Sequence, residues 1–364
     1  MSILRDFLDH GQSIWYDNIS RGLLNDGTLA AMVKQGLAGV TSNPTIFEKA
    51  ILGSNDYREQ LDQLRADGKY RKADEIIQEL MIRDIQLAAD VLRSVYDRSS
   101  GHDGFVSIEV NPRKARDTNA TIEEARYLWN RVNRPNLMVK IPATVEGLPA
   151  IEQMLYEGIN INVTLLFSVD RYRAVAEAYL RAIERRIVDN KRVDLIASVA
   201  SVFVSRIDTK VDGLIEKQVN AGNSALASFK GTAAIANTKM VYQAFKRLFT
   251  SERFSVLAGK GAMVQRPLWA STGTKNPAYS DLLYVEPLVG GNTVNTVPPA
   301  TYDAILDHAK PIAAIERNMD EARSRLDTFA ANGIDMNTVT HELEVEGVAS
   351  FEKSFDGLLK YLSV

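Results

Sequence analysis

The segment Asn136-Leu137-Met138-Val139-Lys140-Ile141-Pro142-Ala143-Thr144 decides how this chain is read. Leu137, Val139 and Ile141 alternate with Met138 and Lys140, the two-residue period of a β-strand. Pro142 cannot donate to a ladder, so it ends the run. A lysine inside such a strand is an odd place for a solvated cation. Either its stem snorkels from a strand end to water, or it is an amine nucleophile whose neutral form is favoured by burial and nearby cations.

Working outward, two neighbouring runs show the same parity. In 104–110, Val106, Ile108 and Val110 share one face, and Phe105, Ser107 and Glu109 share the other. In 160–166, Asn160, Asn162 and Thr164 oppose Ile161, Val163 and Leu165. If the aliphatic sets face outer helices, the polar sets point inward. Further β-like runs fall at 36–42, 194–201 and 262–271, with a looser one near 282–288 and a first strand around 13–19.

Helical periodicity separates most of these runs. Ile77, Leu80, Ile85, Ala88, Leu92 and Val95 follow a 3.6-residue repeat with Asp84 on the edge of the stripe. Tyr172, Val175, Ala176, Tyr179, Leu180, Ile183 and Ile187 do the same after a Ser168 cap. Strands alternating with helices imply parallel βα units, and about eight of them close a (β/α)8 TIM barrel. Such a barrel takes about 250 residues, which leaves roughly 110 for extra helices. These are expected in an excursion over 48–98, after strand 2, and in a C-terminal extension over 303–364 packed on the barrel. The C-terminal extension carries Met319, Ala322, Leu326 and Phe329, then Phe351, Phe355 and Leu358, at helical spacing. Without a linker or repeat, a single domain over 1–364 is the expectation.

Composition narrows the function classes. The 364 residues are 45% hydrophobic and 24% charged, with formal net charge −3, so no excess of basic charge argues for nucleic acid. No membrane association is expected, because no stretch approaches about 18 consecutive apolar residues. Cysteine is absent, which removes disulfides and thiolate chemistry and suits a reducing compartment. A cytoplasmic location is the expectation. The four histidines, His10, His102, His308 and His341, have no metal-like spacing. No metal or cofactor is expected.

Barrel active sites lie at the C-terminal ends of the strands. Glu109 and Asp17 are the carboxylates best placed to share that interior with Lys140. Imine-forming and aldol steps each move protons, which a carboxyl group can shuttle. Two plainer readings stand beside this: a structural salt bridge for Glu109, and a turn or cap role for Asp17. Asn43, Asn162, Thr164 and Ser201 are short polar groups at strand ends. Each alone suits a satisfied core or cap residue; four at one mouth suit a polar ligand.

Five segments in order along the chain resemble the transaldolase family: GVTSNPTIF from Gly39, SIEV from Ser107, NLMVKIPAT from Asn136, INVTLLFS from Ile161 and SVFVSRID from Ser201. The resemblance runs from Asp17 to the segment beginning at Arg266, and the chain is similar to a longer bacterial branch. It implies that Lys140 forms a Schiff base with a ketose phosphate and Asp17 is the base for C–C cleavage. Glu109 would work through a water held with Thr164. Asn43 and Asn162 would bind donor hydroxyls, Ser201 and Phe203 would line the donor pocket, and Arg206 would anchor phosphate. The implied reaction belongs to the pentose phosphate pathway. It moves a dihydroxyacetone unit from fructose 6-phosphate or sedoheptulose 7-phosphate to erythrose 4-phosphate or glyceraldehyde 3-phosphate, without a cofactor. A monomer or homodimer is expected.

The chain departs from the commoner family pattern at two places. Val202 and Ser205 replace a proline and a glycine in the sixth-strand motif. On the seventh strand, Ser271 is followed by Thr272 and Gly273 where a Ser-x-Arg phosphate contact is common. Lys275 or Arg266 would then supply the second cation beside Ser271. Two other functions fit the same barrel: a fructose-6-phosphate-type class I aldolase, and a phosphate-binding barrel without covalent chemistry.

Overall fold

The computed structural model describes residues 2–70 and 72–362. Eight parallel strands close on themselves in chain order, β1 pairing with both β2 and β8. They are β1 Gln12–Tyr16, β2 Gly39–Val40, β3 Phe105–Glu109, β4 Leu137–Pro142, β5 Ile161–Leu166, β6 Ser198–Phe203, β7 Arg266–Ala270 and β8 Thr293–Val297. The alternation of aliphatic and polar residues sets this geometry. Val106, Ile108, Val139, Ile141, Ile161 and Val163 are fully buried among the surrounding helices. Asn162 on β5 bonds Ser107 on β3 at 3.0 Å, although β4 lies between them in the sheet. That bond can only cross the interior, so the polar parity does point inward.

β2 is only two residues long, and its Gly39 lies against the Trp15 indole. A Cβ there would stand 2.5 Å from the ring. Three helices, Pro44–Leu52, Arg58–Asp67 and Ala73–Arg98, follow β2 where a (β/α)8 unit needs one, and Met319–Ala331 and Met336–Leu362 follow the last barrel helix, Pro299–His308, inside which position 303 falls.

One strand differs from expectation. The run 282–288 is not β8; it ends in the short 3-10 turn Glu286–Leu288 outside the barrel, where the Leu288 carbonyl accepts from the Trp269 indole at 3.0 Å. Its leucines are apolar because they cover β7. The true β8, Thr-Val-Asn-Thr-Val, looks polar because its outer residues bond to loops. Thr293 donates to the Gly290 carbonyl at 2.6 Å, and Asn295 to the Tyr284 carbonyl at 3.1 Å.

Asp84 is fully buried rather than marginal. It accepts from Arg21 Nε at 2.5 Å and from the Tyr57 hydroxyl at 2.8 Å, and that hydroxyl accepts from the Arg21 backbone N–H at 3.0 Å. The long inserted helix is thereby tied to the chain just beyond β1. Removing one partner of a buried ion pair typically costs about 3–5 kcal/mol. Asp84→Ala is expected to lose about that much stability in urea unfolding. A loss below about 1 kcal/mol would show that the pair is dispensable.

Candidate active site

Lys140 occupies the C-terminal half of β4, buried at 4% exposure. Its Nζ donates to the Ser42 carbonyl at 2.9 Å and lies 3.5 Å from Glu109 Oε2, Glu109 being its register partner on β3. The charged groups beside it are two carboxylates, Glu109 and Asp17, not the cations anticipated from sequence. Burial pushes the Glu109 carboxyl up to about 7, against the opposing pull of Lys140. Neither oxygen of Glu109, nor Thr164 Oγ1, has a hydrogen-bond partner in the protein. Glu109 therefore sits 3.5 Å from Lys140 Nζ while keeping its lone pairs available, which is a poor geometry for a purely structural bridge.

Asp17 follows β1 directly. Its Oδ1 accepts from Thr41 Oγ1 at 2.7 Å, and Thr41 in turn meets Thr296 Oγ1 at 2.6 Å. Burial raises the Asp17 pKa, while Lys140, Thr41 and Lys275 oppose the rise. Asn162 accepts from Ser201 Oγ at 2.6 Å, so the two form a polar floor with Ser107. Asn43 caps the helix Pro44–Leu52 through Oδ1, which leaves its amide N–H groups for a guest.

These residues surround a cavity of about 550 Å³ at the C-terminal barrel mouth, a size suited to a small metabolite. Asp17, Asn43, Lys140, Ser201, Phe203, Arg206, Ser271 and Lys275 line it. Glu109, Asn162 and Thr164 do not; they stand behind Lys140 in the barrel. Two residues at the strand ends have left-handed backbones, Leu165 at φ 52° and Ser271 at φ 54°. For a leucine that conformation is strained, and it coincides with a register shift between β5 and β6.

Arg266 is excluded as the second cation. It begins β7, at the opposite end of the barrel, and bonds Asp103 at 3.1 Å, Ser13 at 2.6 Å and the carbonyls of His102 and Thr293. Sequence reasoning also missed several lining residues. Thr41 lies two residues before Asn43 in the same motif, and nothing in its local pattern marks it as facing the cavity. Thr296 sits on the misplaced strand. Lys49, Ser350 and Phe351 come from the extra helices, whose local pattern is that of any amphipathic helix. Among the described residues, no cluster of three or more histidines and carboxylates is gathered as metal ligands would be. No helix among them is long and apolar enough to cross a membrane.

A family profile described as transaldolase/fructose-6-phosphate aldolase matches residues 14–362. The chain belongs to this family. It is 49% identical over 361 residues to a transaldolase of Saccharopolyspora erythraea, covering 99% of this chain and 96% of that one. It is 46% identical over 363 residues to a transaldolase of Thiobacillus denitrificans, covering 99% of each. A Thermobifida fusca transaldolase is 48% identical over 360 residues, covering 98% of this chain and 96% of that one. The matched span takes in the C-terminal helices as well as the barrel.

Proposed function

We propose that this protein is a transaldolase that transfers a dihydroxyacetone unit between sugar phosphates through an imine on Lys140. The observation that carries the reading is one buried lysine, flanked by two carboxylates of raised pKa, opening onto a cavity lined with unpaired cations. In this mechanism the neutral Lys140 amine attacks the ketose C2 carbonyl, and loss of water gives the imine. Glu109 supplies and recovers protons through a water shared with Thr164. Asp17 takes the C4 hydroxyl proton as the C3–C4 bond breaks, and the bonding electrons pass into the imine. A three-carbon enamine stays on Lys140 while the aldose phosphate leaves. The enamine then adds to the acceptor aldehyde, Asp17 returns the proton, and hydrolysis frees the new ketose and the lysine.

Asn43 holds a donor hydroxyl, Asn162 orients Ser201 from behind the cavity wall, Ser201 and Phe203 shape the donor pocket, and Arg206, with Ser271 and Lys275, receives the phosphate. Lys49, also exposed at the mouth, adds positive potential. Borohydride reduction with fructose 6-phosphate should leave one sugar-derived fragment on the peptide containing Lys140. Fructose 6-phosphate plus erythrose 4-phosphate should yield sedoheptulose 7-phosphate and glyceraldehyde 3-phosphate. Labelling elsewhere overturns the lysine assignment, and cleavage without transfer points to the aldolase activity instead. Fixed mass under borohydride indicates a non-covalent phosphate-binding barrel.

Arg206 supports a separate expectation. An arginine meets a phosphate through paired charge-assisted hydrogen bonds, worth roughly 1.5–3 kcal/mol. Arg206→Ala should lower kcat/KM for fructose 6-phosphate by about 10–150-fold. The loss for unphosphorylated fructose should be much smaller. Lys275→Ala should show the same selectivity more weakly. Equal losses for both donors would remove Arg206 from the phosphate site.

A further inference from the structure

Arg206 opens the helix Ser205–Asn220 just after β6, and is held in an unusual way. Among the described residues its side chain makes no hydrogen bond and no ion pair. Its guanidinium carbon instead stands 5.4 Å from the Phe203 ring centroid and 6.0 Å from that of Phe351. An arginine beside aromatic faces is attracted by their quadrupoles and keeps its N–H edge free for an anion. Phe203 is supplied by the barrel, whereas Phe351 is supplied by the C-terminal helix Met336–Leu362 and is only 2% exposed.

That helix is seated closely over the mouth. Gly347 passes above β5 so tightly that a Cβ would lie 2.8 Å from Leu165 Cδ2 and 3.6 Å from Arg206 Nη1. At Gly357 a Cβ would lie 2.3 Å from Glu48 Oε1. Ser354 meets Thr45 at 2.8 Å, beside the cavity-lining start of the Pro44–Leu52 helix. Ion pairs from Arg171 to Glu344 at 3.2 Å and from Lys210 to Glu342 at 2.7 Å fix the helix from the barrel side. Ser350 and Phe351 thus become part of the cavity wall.

We propose that Phe351 is a positioning residue. With Phe203 it holds the Arg206 guanidinium facing the cavity, and so makes the C-terminal helix a determinant of preference for phosphorylated over unphosphorylated donors. The proposal rests on the reading of Arg206 as the phosphate anchor, and the test separates the two.

Steady-state kinetics with fructose 6-phosphate and with unphosphorylated fructose, at fixed acceptor, are compared for Phe351→Leu, Phe351→Tyr, Arg206→Ala and the Phe351→Leu/Arg206→Ala double variant. Leucine keeps apolar bulk but removes the ring, and tyrosine restores it. A lost cation–π contact corresponds to about a 2–30-fold change in binding. Phe351→Leu should raise KM for fructose 6-phosphate within that range, and by a clearly larger factor than it raises KM for fructose, with the effect in KM rather than kcat. Phe351→Tyr should recover wild-type KM, and Phe351→Leu should add little in the Arg206→Ala background. If Arg206→Ala weakens phosphorylated donors but Phe351→Leu does not, the positioning role is wrong and the anchor stands. If Phe351→Leu harms both donors equally, the ring is merely a wall and the proposal fails. If Arg206→Ala spares phosphorylated donors, the anchor and the positioning role fall together.

Discussion

Replacing Lys140 by alanine is expected to lower kcat/KM for transfer from fructose 6-phosphate by roughly 10⁴–10⁶-fold, the scale seen when a covalent nucleophile is removed from an enzyme. No other lysine is in a position to take over. Lys49 and Lys275 line the cavity at its exposed rim, while the Lys140 amine is buried between the Ser42 carbonyl and Glu109. Borohydride with fructose 6-phosphate should add nothing to the variant. The fold should survive, because a Glu109 carboxyl pushed up to about 7 can keep its proton when its cation is removed. A soluble, folded Lys140→Ala protein with more than about 1% of wild-type kcat/KM would contradict covalent catalysis at this residue.

The parity of three strands made the centre of this site legible. Glu109, Lys140, Asn162 and Thr164 lie where two-residue alternation placed them, because β3 and β4 are regular, β5 keeps step with β4 as far as Thr164, just before its irregularity at Leu165, and the outer residues up to there are aliphatic. The same rule failed at β8, where outward Thr293 and Asn295 satisfy loop atoms and mimic a polar turn. It also gave no height along a strand. Arg266 and Ser271 belong to one seventh-strand run, yet the first closes the barrel floor and the second lines its mouth. The phosphate end was the least legible. Lys49 and Phe351 reach the cavity only through the packing of inserted helices, and no local periodicity encodes which turn of a helix will face a distant strand end.

Glu109→Gln is expected to lower kcat by about 10²–10⁴-fold, the usual contribution of a general acid/base. The pH dependence carries more information than the size of the loss. The attacking nitrogen must lose its protons on the way to the imine, and an ionised Glu109, 3.5 Å from it, is the acceptor beside it. Wild-type kcat/KM should therefore rise with pH through an inflexion near the Glu109 value of about 7. That ionisation belongs to the Lys140–Glu109 pair as a whole. In the glutamine variant the inflexion should be absent. Stability should respond in a linked way. An unfolded glutamate ionises near 4.3, so between there and about 7 the folded state holds the extra proton and wild-type stability falls as pH rises. The group contributes a decline of about 4 kcal/mol over that window and no further decline above it. Glutamine has no such ionisation, so urea unfolding should show the variant gaining on wild type between pH 5 and pH 8. A difference that stays constant with pH would mean Glu109 is already a carboxylate at pH 5, as in a plain structural salt bridge. Its place in the proton path would then have to be given up.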